Sequence, residues 1–324
     1  MSEWLLPLPV RHRTDGRARY HSRRCLVTPS PRSIIIDNDN NVILPHPRFH
    51  GIVGSYSEAA VRALFSGHAD FKGKELVTVA YPTDSELFAA VSSGDIDQAI
   101  TPIENSHSGT LHEVLTLLLN TRHKPALVIA AEFIYHEPHQ LLGLPGATTS
   151  QARQVISHEH VLRQCDAFLE AVLPTGPTGC QRVMASSTGA AAEWVHQAQD
   201  PRLVCVAGHT AASIYGLVPV KVDTDDERAS QIRIETHPES TFTRFWLIGR
   251  EDKLPPVERH QEPKTSVGVR TQNRPGALHR MLGCFATRNI NVYKIESRPH
   301  TRSIQQAHAT WSYDMYIDFE GAPN

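Results

Sequence analysis

The chain has 324 residues, of which 40% are hydrophobic and 20% charged, enough for a sizeable core and about two domains. Its formal charge of −2 supplies no basic field of the kind that nucleic acid or an anionic membrane requires, so the expected partner is a small molecule. The five cysteines, Cys25, Cys165, Cys180, Cys205 and Cys284, are scattered without C-x-x-C spacing, which argues against a disulfide framework or zinc site and fits a reducing, cytoplasmic compartment.

Residues 1–45 show no sustained periodicity and are broken by Pro7, Pro9, Pro29, Pro31 and Pro45, so they read as an unstructured leader. Seven arginines in the first 32 residues, against Glu3 and Asp15, leave organelle targeting as the alternative. The apolar stretch 203–222 is interrupted by His209, Thr210, Ser213 and Gly216 and reads as a strand and helix, not a membrane span. Neither His136-Glu-Pro-His139 nor His158-Glu-His160 has metal-ligand spacing, so no metal site is expected.

Ordered structure is expected from Gly51. Ser55-x-x-Glu58 is a capping-box signature for a helix running to about Phe65. A strand over 75–81 leads into a second such box, Thr83-x-x-Glu86, and a helix stopped by Gly94. A strand from Gln98 to Ile103 runs into the polar loop Glu104–Thr110, where Thr110-x-x-Glu113 predicts a third helix start. The apolar run 126–135 is a strand; 150–156 reads as a short helix and 160–171 as a longer one. Strand-to-helix junctions recur at Ser186–Gly189 and Gly208–Thr210. This alternation predicts an α/β fold with a largely parallel sheet, binding its ligand where the strands end. The loops there, Gly54–Ser57, Glu104–Thr110, Ser186–Gly189 and Gly208–Thr210, offer hydroxyls and helix N-termini suited to an anion.

Thr243 and Arg244 precede the apolar strand 245–249, and 251–263 is a charged, proline-bearing linker. Beyond it, strands at 266–269, 290–295 and 315–319, with a helix from Pro275, give β-α-β-β, the first two thirds of a ferredoxin-like unit.

The motifs Gly51-x-x-Gly54-Ser55-Tyr56-Ser57-Glu58, Pro102-Ile103-Glu104-Asn105-Ser106-x-x-Gly109-Thr110 and Ser157-His158 with Gln164-Cys165 resemble the prephenate dehydratase family. So do Ser187-Thr188-Gly189-Ala190-Ala191, Tyr215-Gly216-Leu217 and Thr243-Arg244-Phe245, while Pro275-Gly276-Ala277-Leu278 and Glu296-Ser297-Arg298-Pro299 resemble its ACT regulatory domain. The resemblance covers about residues 50–320. It implies a catalytic domain over 46–250, built from two periplasmic-binding-protein-like subdomains, the second at about 126–221. It also implies an α+β ferredoxin-like ACT domain over 264–324, truncated at its C-terminus.

The implied reaction is decarboxylative dehydration of prephenate to phenylpyruvate, water and carbon dioxide, without cofactor or metal. Thr243 is then the candidate donor to the departing hydroxyl, and Arg244 a planar guanidinium able to grip a carboxylate in two hydrogen bonds. Ser57, Asn105, Ser106, Gly109, Thr110, Ser187, Thr188 and Phe245 would bind the substrate. Glu104 is a further catalytic candidate beside that pair, although a carboxylate facing a dianion reads first as structural. Phenylalanine, as feedback effector, would meet Asn273, Gly276, Ala277, Leu278, Glu296, Ser297 and Arg298, in a homodimer or homotetramer. Arogenate dehydratase is the near alternative, and a non-catalytic amino-acid-binding protein the distant one.

Four departures from the family pattern stand out. Thr241 stands where the family has Asn, and His158-Glu159-His160 replaces His-Pro-Gln at a helix start. Pro45 and Pro47 imply either that the first strand of the catalytic domain is displaced to an edge or that this N-terminus derives from an altered transcript. The missing end of the ferredoxin-like pattern should leave an exposed apolar sheet face and an unpaired edge, impairing stability or phenylalanine control.

Overall fold

The computed structural model describes residues 4–10, 35–36, 42–43, 47–65, 76–120, 127–136, 138–177, 179–223, 242–250, 264–271, 274–299 and 313–321. Thr241, Asn273 and the linker 251–263 lie outside them. The elements begin with β1 (Trp4–Val10), β2 (Ile35–Ile36), β3 (Val42–Ile43), β4 (Arg48–His50), α1 (Tyr56–Phe65), β5 (Val79–Tyr81) and α2 (Asp84–Ser93). They continue with β6 (Gln98–Asn105), β7 (Gly109–Thr110), α3 (His112–Asn120) and β8 (Leu127–His136). A second group comprises β9 (Gln140–Gly143), β10 (Gln154–His158), α4 (Glu159–Gln164), α5 (Asp166–Val172), β11 (Gln181–Ala185), α6 (Thr188–Ala198), β12 (Leu203–Ala207), α7 (His209–Tyr215) and β13 (Val218–Pro219). Then follow β14 (Phe242–Arg250), β15 (Lys264–Arg270), α8 (Ala277–Ala286), β16 (Val292–Pro299) and β17 (Tyr313–Glu320).

The first subdomain is a sheet in the order β5-β4-β6-β14-β8, with β7 folded back on β6. β4 runs parallel to β5 and β6, whereas β14 runs antiparallel to both β6 and β8. The sheet is therefore mixed and not largely parallel, because β14 re-enters from the second subdomain between two strands already in place. Helices α2 and α3 cover one face through Leu87, Val91, Val114 and Leu115, packed on Ile103, Trp246 and Ile248. Helix α1 covers the other through Ala60, Val61 and Phe65, packed on Phe49, Phe133, Phe245 and Leu247. Burial of the larger of these side chains contributes about 2–3 kcal/mol each.

The second subdomain is a sheet in the order β11-β10-β12-β9-β13, with α6 and α7 on one face and α4 and α5 on the other. The chain crosses into it between His136 and Gln140, not near Ala126, because the whole of Leu127–His136 is the edge strand of the first sheet. The return through β14 places Thr243 in the first subdomain, as expected.

Local expectations fare unevenly. Thr83 caps α2 by accepting from Glu86 N at 3.2 Å, and Gly94 ends it in the left-handed region at φ 88°. At α1 the Glu58 carboxylate accepts from Gly54 N at 2.7 Å, one residue earlier than a standard capping box. His158 caps α4 through Nδ1 with His160 N at 3.4 Å, so the altered triplet still starts a helix. Thr110 caps nothing: it pairs with Glu104 in β7, and α3 starts at His112. Residues 154–158, partly expected as helix, form β10, the strand between β11 and β12, where buried Val155 and Ile156 suit a two-sided core. β4 is not displaced to an edge; it starts after Pro47, whose carbonyl still accepts from Val79 N at 3.0 Å.

The C-terminal unit is the expected β-α-β-β, with Met281 and Phe285 of α8 packed on Val267, Val269 and Ile317. Its sheet order is β1-β15-β17-β16. Residues 4–10, expected to be unstructured leader, instead pair antiparallel with β15, along the edge expected to be open. Its other face carries Tyr316, which is fully buried against Trp246 of the first subdomain at a ring separation of 5.7 Å. Among the described residues no helix is long and apolar enough to cross a membrane.

Candidate active site

Strand directions bring the C-terminal ends of β4, β6 and β8 and the N-terminal end of β14 to one edge of the first sheet. Thr243 sits there, 4% exposed, in register with Asn105 of β6 and Tyr135 of β8. Asn105 Nδ2 donates to Thr243 Oγ1 at 2.8 Å. The orientation of that amide is fixed, since its oxygen accepts from His107 N at 2.9 Å and Ser108 N at 3.1 Å. A hydroxyl that accepts such a bond still carries its own proton for donation. Ser106 ties the same loop to β14: its Oγ accepts from Phe242 N at 3.1 Å, and its N–H donates to Phe242 O at 2.9 Å. Gly109 at φ 76° turns the loop back toward β6.

The facing subdomain presents the N-termini of α6 and α7. Ser187 caps α6 by accepting from Ala190 N at 3.0 Å, and Thr188 behind it is buried. These turns abut the Gly51–Ser55 loop so closely that a Cβ on Gly189 would lie 2.7 Å from Val53 O and 2.9 Å from Ser55 N. Tyr215 Oη donates to Val53 O at 3.2 Å, and a Cβ on Gly54 would lie 2.9 Å from the Tyr215 ring. Ser57, half-buried in the first turn of α1, completes the set. Three helix N-termini thus converge between the subdomains, a field favourable to carboxylates.

Arg244 is not in that set. Successive strand residues point to opposite faces, and Arg244 turns away from Thr243. Its Nη1 donates to Glu132 Oε2 at 3.2 Å and Asp318 Oδ2 at 3.1 Å, and its Nη2 lies 2.8 Å from Glu104 Oε2. Burial opposes its charge, but Glu132, Asp318 and Glu104 outweigh it and raise its pKa further. Trp246, two residues on, shares Glu132 through Nε1 at 2.9 Å. Lys264 adds bonds to Glu132 at 2.9 and 3.1 Å and an ion pair to Asp318 at 3.0 Å. Asp318 is held below the ordinary carboxylate range because Lys264 and Arg244 overcome its burial. The expected bidentate grip of Arg244 on substrate is therefore replaced by an ion-pair cluster between the first subdomain and the C-terminal unit. Phe245 likewise belongs to the core, stacked on Phe133 at 5.3 Å beneath α1.

Glu104 and Thr110 also lie on this second face. Lys294 of β16 binds the Glu104 carboxylate and donates to Thr110 Oγ1 at 2.5 Å, while Thr110 donates to Glu296 at 3.2 Å. Glu104 thus serves as an ion-pair partner, which answers the objection to a carboxylate facing a dianion. Of the candidate effector residues, Glu296 reaches the first subdomain, Gly276 precedes α8 as its N-cap at φ 75°, and Leu278 is 44% exposed. Ala277 opens α8, whereas Ser297 and Arg298 pair with Met315 and Asp314 across β16 and β17.

Sequence reasoning did not assign roles to Glu132, Lys264, Lys294 or Asp318, since nothing local marks pairs so distant in the chain; Arg244 and Asp318, for example, are separated by 74 positions. Among the described residues no group of three or more His, Cys, Asp or Glu could hold a metal ion.

The prephenate dehydratase family model matches residues 48–253. Arogenate dehydratase/prephenate dehydratase 1, chloroplastic, of Arabidopsis thaliana is 34% identical over 323 residues, which span 97% of this chain and 74% of that protein. The bifunctional chorismate mutase/prephenate dehydratase of Neisseria gonorrhoeae is 32% identical, and the match spans 84% of this chain and 65% of that one. The solved prephenate dehydratase of Arthrobacter aurescens, in complex with L-Phe, is 28% identical with a TM-score of 0.67, covering 85% of this chain and 80% of its own.

Proposed function

Since the chain belongs to the prephenate dehydratase family, we propose that it is a carbon–oxygen lyase converting prephenate to phenylpyruvate, water and carbon dioxide in the cleft between its two subdomains. The observation that carries this reading is the Asn105–Thr243 hydrogen bond at the sheet edge that faces the converging helix N-termini. As the ring carboxylate leaves as carbon dioxide, its electron pair enters the ring. The C–O bond then breaks, and the departing hydroxyl takes up a proton to leave as water. Thr243, held by Asn105, donates a hydrogen bond to that oxygen as negative charge develops on it. Thr243 is too weak an acid to be the final proton source, so its contribution is polarisation of the leaving group, with aromatisation supplying the driving force.

With Arg244 engaged elsewhere, binding of the two carboxylates falls to the N-termini of α1, α6 and α7 and to Ser57, Ser187 and Thr188. Arg244 and Glu104 act at one remove, by fixing the strand and loop that carry Thr243 and Asn105. The C-terminal unit is read as an ACT domain that binds phenylalanine as effector, supported by its β-α-β-β order and by the L-Phe complex of the Arthrobacter relative. A homodimer or homotetramer in the cytoplasm completes the reading.

A second reading is favoured by the double name of the plant relative: arogenate, the transaminated substrate, undergoes the same elimination to give phenylalanine. Initial rates on prephenate and arogenate, measured side by side, decide between them. Turnover of neither substrate overturns both.

A further inference from the structure

Tyr56, His139 and Gln164 form a hydrogen-bonded chain that the elimination chemistry does not use. Tyr56 opens α1 in the first subdomain, yet it packs against the core of the second, the cluster that includes Leu141, Val161 and Cys165. Its Oη lies 2.5 Å from His139 Nδ1, and the two rings are tilted at 56° with centroids 5.4 Å apart. His139 is 6% exposed and sits in the crossing between β8 and β9, where a rigid-body movement of the subdomains would be absorbed. Its Nε2 lies 3.0 Å from Gln164 Oε1 at the end of α4. An amide oxygen only accepts, so Nε2 carries the ring proton and Nδ1 accepts from the tyrosine hydroxyl. Pro138 O, at 3.4 Å from Tyr56 Oη, is the weaker acceptor. A Cβ on Gly208 would lie 2.7 Å from Tyr56 Cε1, so the start of α7 is pressed against the same side chain.

We propose that Tyr56 and His139 are positioning residues for the cleft: the hydroxyl-to-imidazole bond latches α1 of the first subdomain onto the second, holding the Gly54–Ser57 turn against the N-termini of α6 and α7. The latch acts through the turn beside it, since Tyr56 lies between Ser57 and Ser55, whose backbone nitrogen would lie 2.9 Å from a Cβ on Gly189. Gln164 fixes the imidazole tautomer. Burial also holds the His139 pKa below its ordinary value, keeping the ring in the neutral form that the latch requires. For its catalytic consequence the proposal rests on the reading of the cleft as the prephenate site; its geometry does not.

The test combines hydrogen exchange with kinetics on the full chain carrying Tyr56→Phe, His139→Ala, His139→Asn or the double change Tyr56→Phe/His139→Ala. Tyr56→Phe deletes one oxygen and keeps the ring in its core, so it remains informative where His139→Ala fails to fold. The latch predicts amide exchange about tenfold faster over 51–57 and 187–191 in Tyr56→Phe, with the β10 amides unchanged. It also predicts a KM for prephenate raised about tenfold at little-changed kcat, partial rescue in His139→Asn, and a double variant no worse than the worse single one. Unchanged exchange over 51–57 in Tyr56→Phe overturns the proposal. A uniform rise that includes β10, or losses that multiply in the double variant, does so as well, since each marks an ordinary core contact. A wild-type chain inactive on prephenate removes the functional reading and leaves the exchange data to decide the latch alone.

Discussion

Asn105 donates its side-chain amide to the Thr243 hydroxyl across 2.8 Å, from an orientation locked by two backbone N–H groups on its own oxygen. The bond joins residues 138 positions apart and sets the direction in which the threonine proton can point. Asn105→Asp substitutes an acceptor for that donor while keeping the shape. Its kcat on prephenate should fall by about 10²-fold, near the lower range for a positioned proton-handling group. A kcat within threefold of wild type would show that the amide does not orient Thr243.

Arg244 is 14% exposed in its side chain and touches three carboxylates. Arg244→Ala leaves Glu132 and Asp318 short of a partner in a buried site and should destabilise the chain by about 3–5 kcal/mol. Urea unfolding monitored by tryptophan fluorescence measures this. Glu104, with 34% side-chain exposure, is the outer partner; Glu104→Gln should shift stability by about 1 kcal/mol or less and keep most of the turnover. A large loss of kcat with stability intact would restore Glu104 to the chemistry.

Gly189 has no room for a methyl group beside Val53 O and Ser55 N, both backbone atoms. Gly189→Ala should wedge the two subdomains apart, raising KM for prephenate at least tenfold while the melting temperature falls by only a few degrees. Wild-type KM in this variant would mean that the loops do not need to meet.

His139 supplies a pH dependence. Burial depresses its pKa in the folded chain, with the Gln164 contact opposing and His136 and His107 reinforcing the shift; Tyr56 is the other titratable group against it. Below the unfolded value of about 6.5 the unfolded chain binds more protons, so stability falls as pH drops from there toward the folded pKa. Urea midpoints at pH 7.5 and 5.5 should differ more in the wild type than in His139→Ala. Equal pH shifts in the two would exclude His139 as a source of the acid sensitivity.

The strand-loop-helix junctions were legible because each is signed locally: Thr83 caps its helix as the spacing predicts, Ser187 caps the helix expected at the 186–189 junction, and Gly94 and Gly216 end theirs in the left-handed region. Residues 154–158 were misread in part because a short apolar run fits helix and strand alike, and only its neighbours β11 and β12 decide the outcome. The site was half legible. Thr243, Asn105 and the helix starts carry motif signals, but which face of β14 each side chain takes is set by strand pairing. The tripeptide 243–245 therefore looked like a unit when its members point into a cleft edge, an ion-pair cluster and a core. Lys294 and Asp318 could be found only once the C-terminal sheet was seen resting on the first subdomain.

The central claim is tested most directly by the initial rate of phenylpyruvate formation from prephenate, comparing wild type, Thr243→Ser and Thr243→Ala. The account predicts measurable turnover in the wild type, most of it kept by the serine hydroxyl, and a fall in kcat of about 10²–10⁴-fold in the alanine variant at unchanged melting temperature. Turnover of Thr243→Ala at the wild-type rate would contradict it.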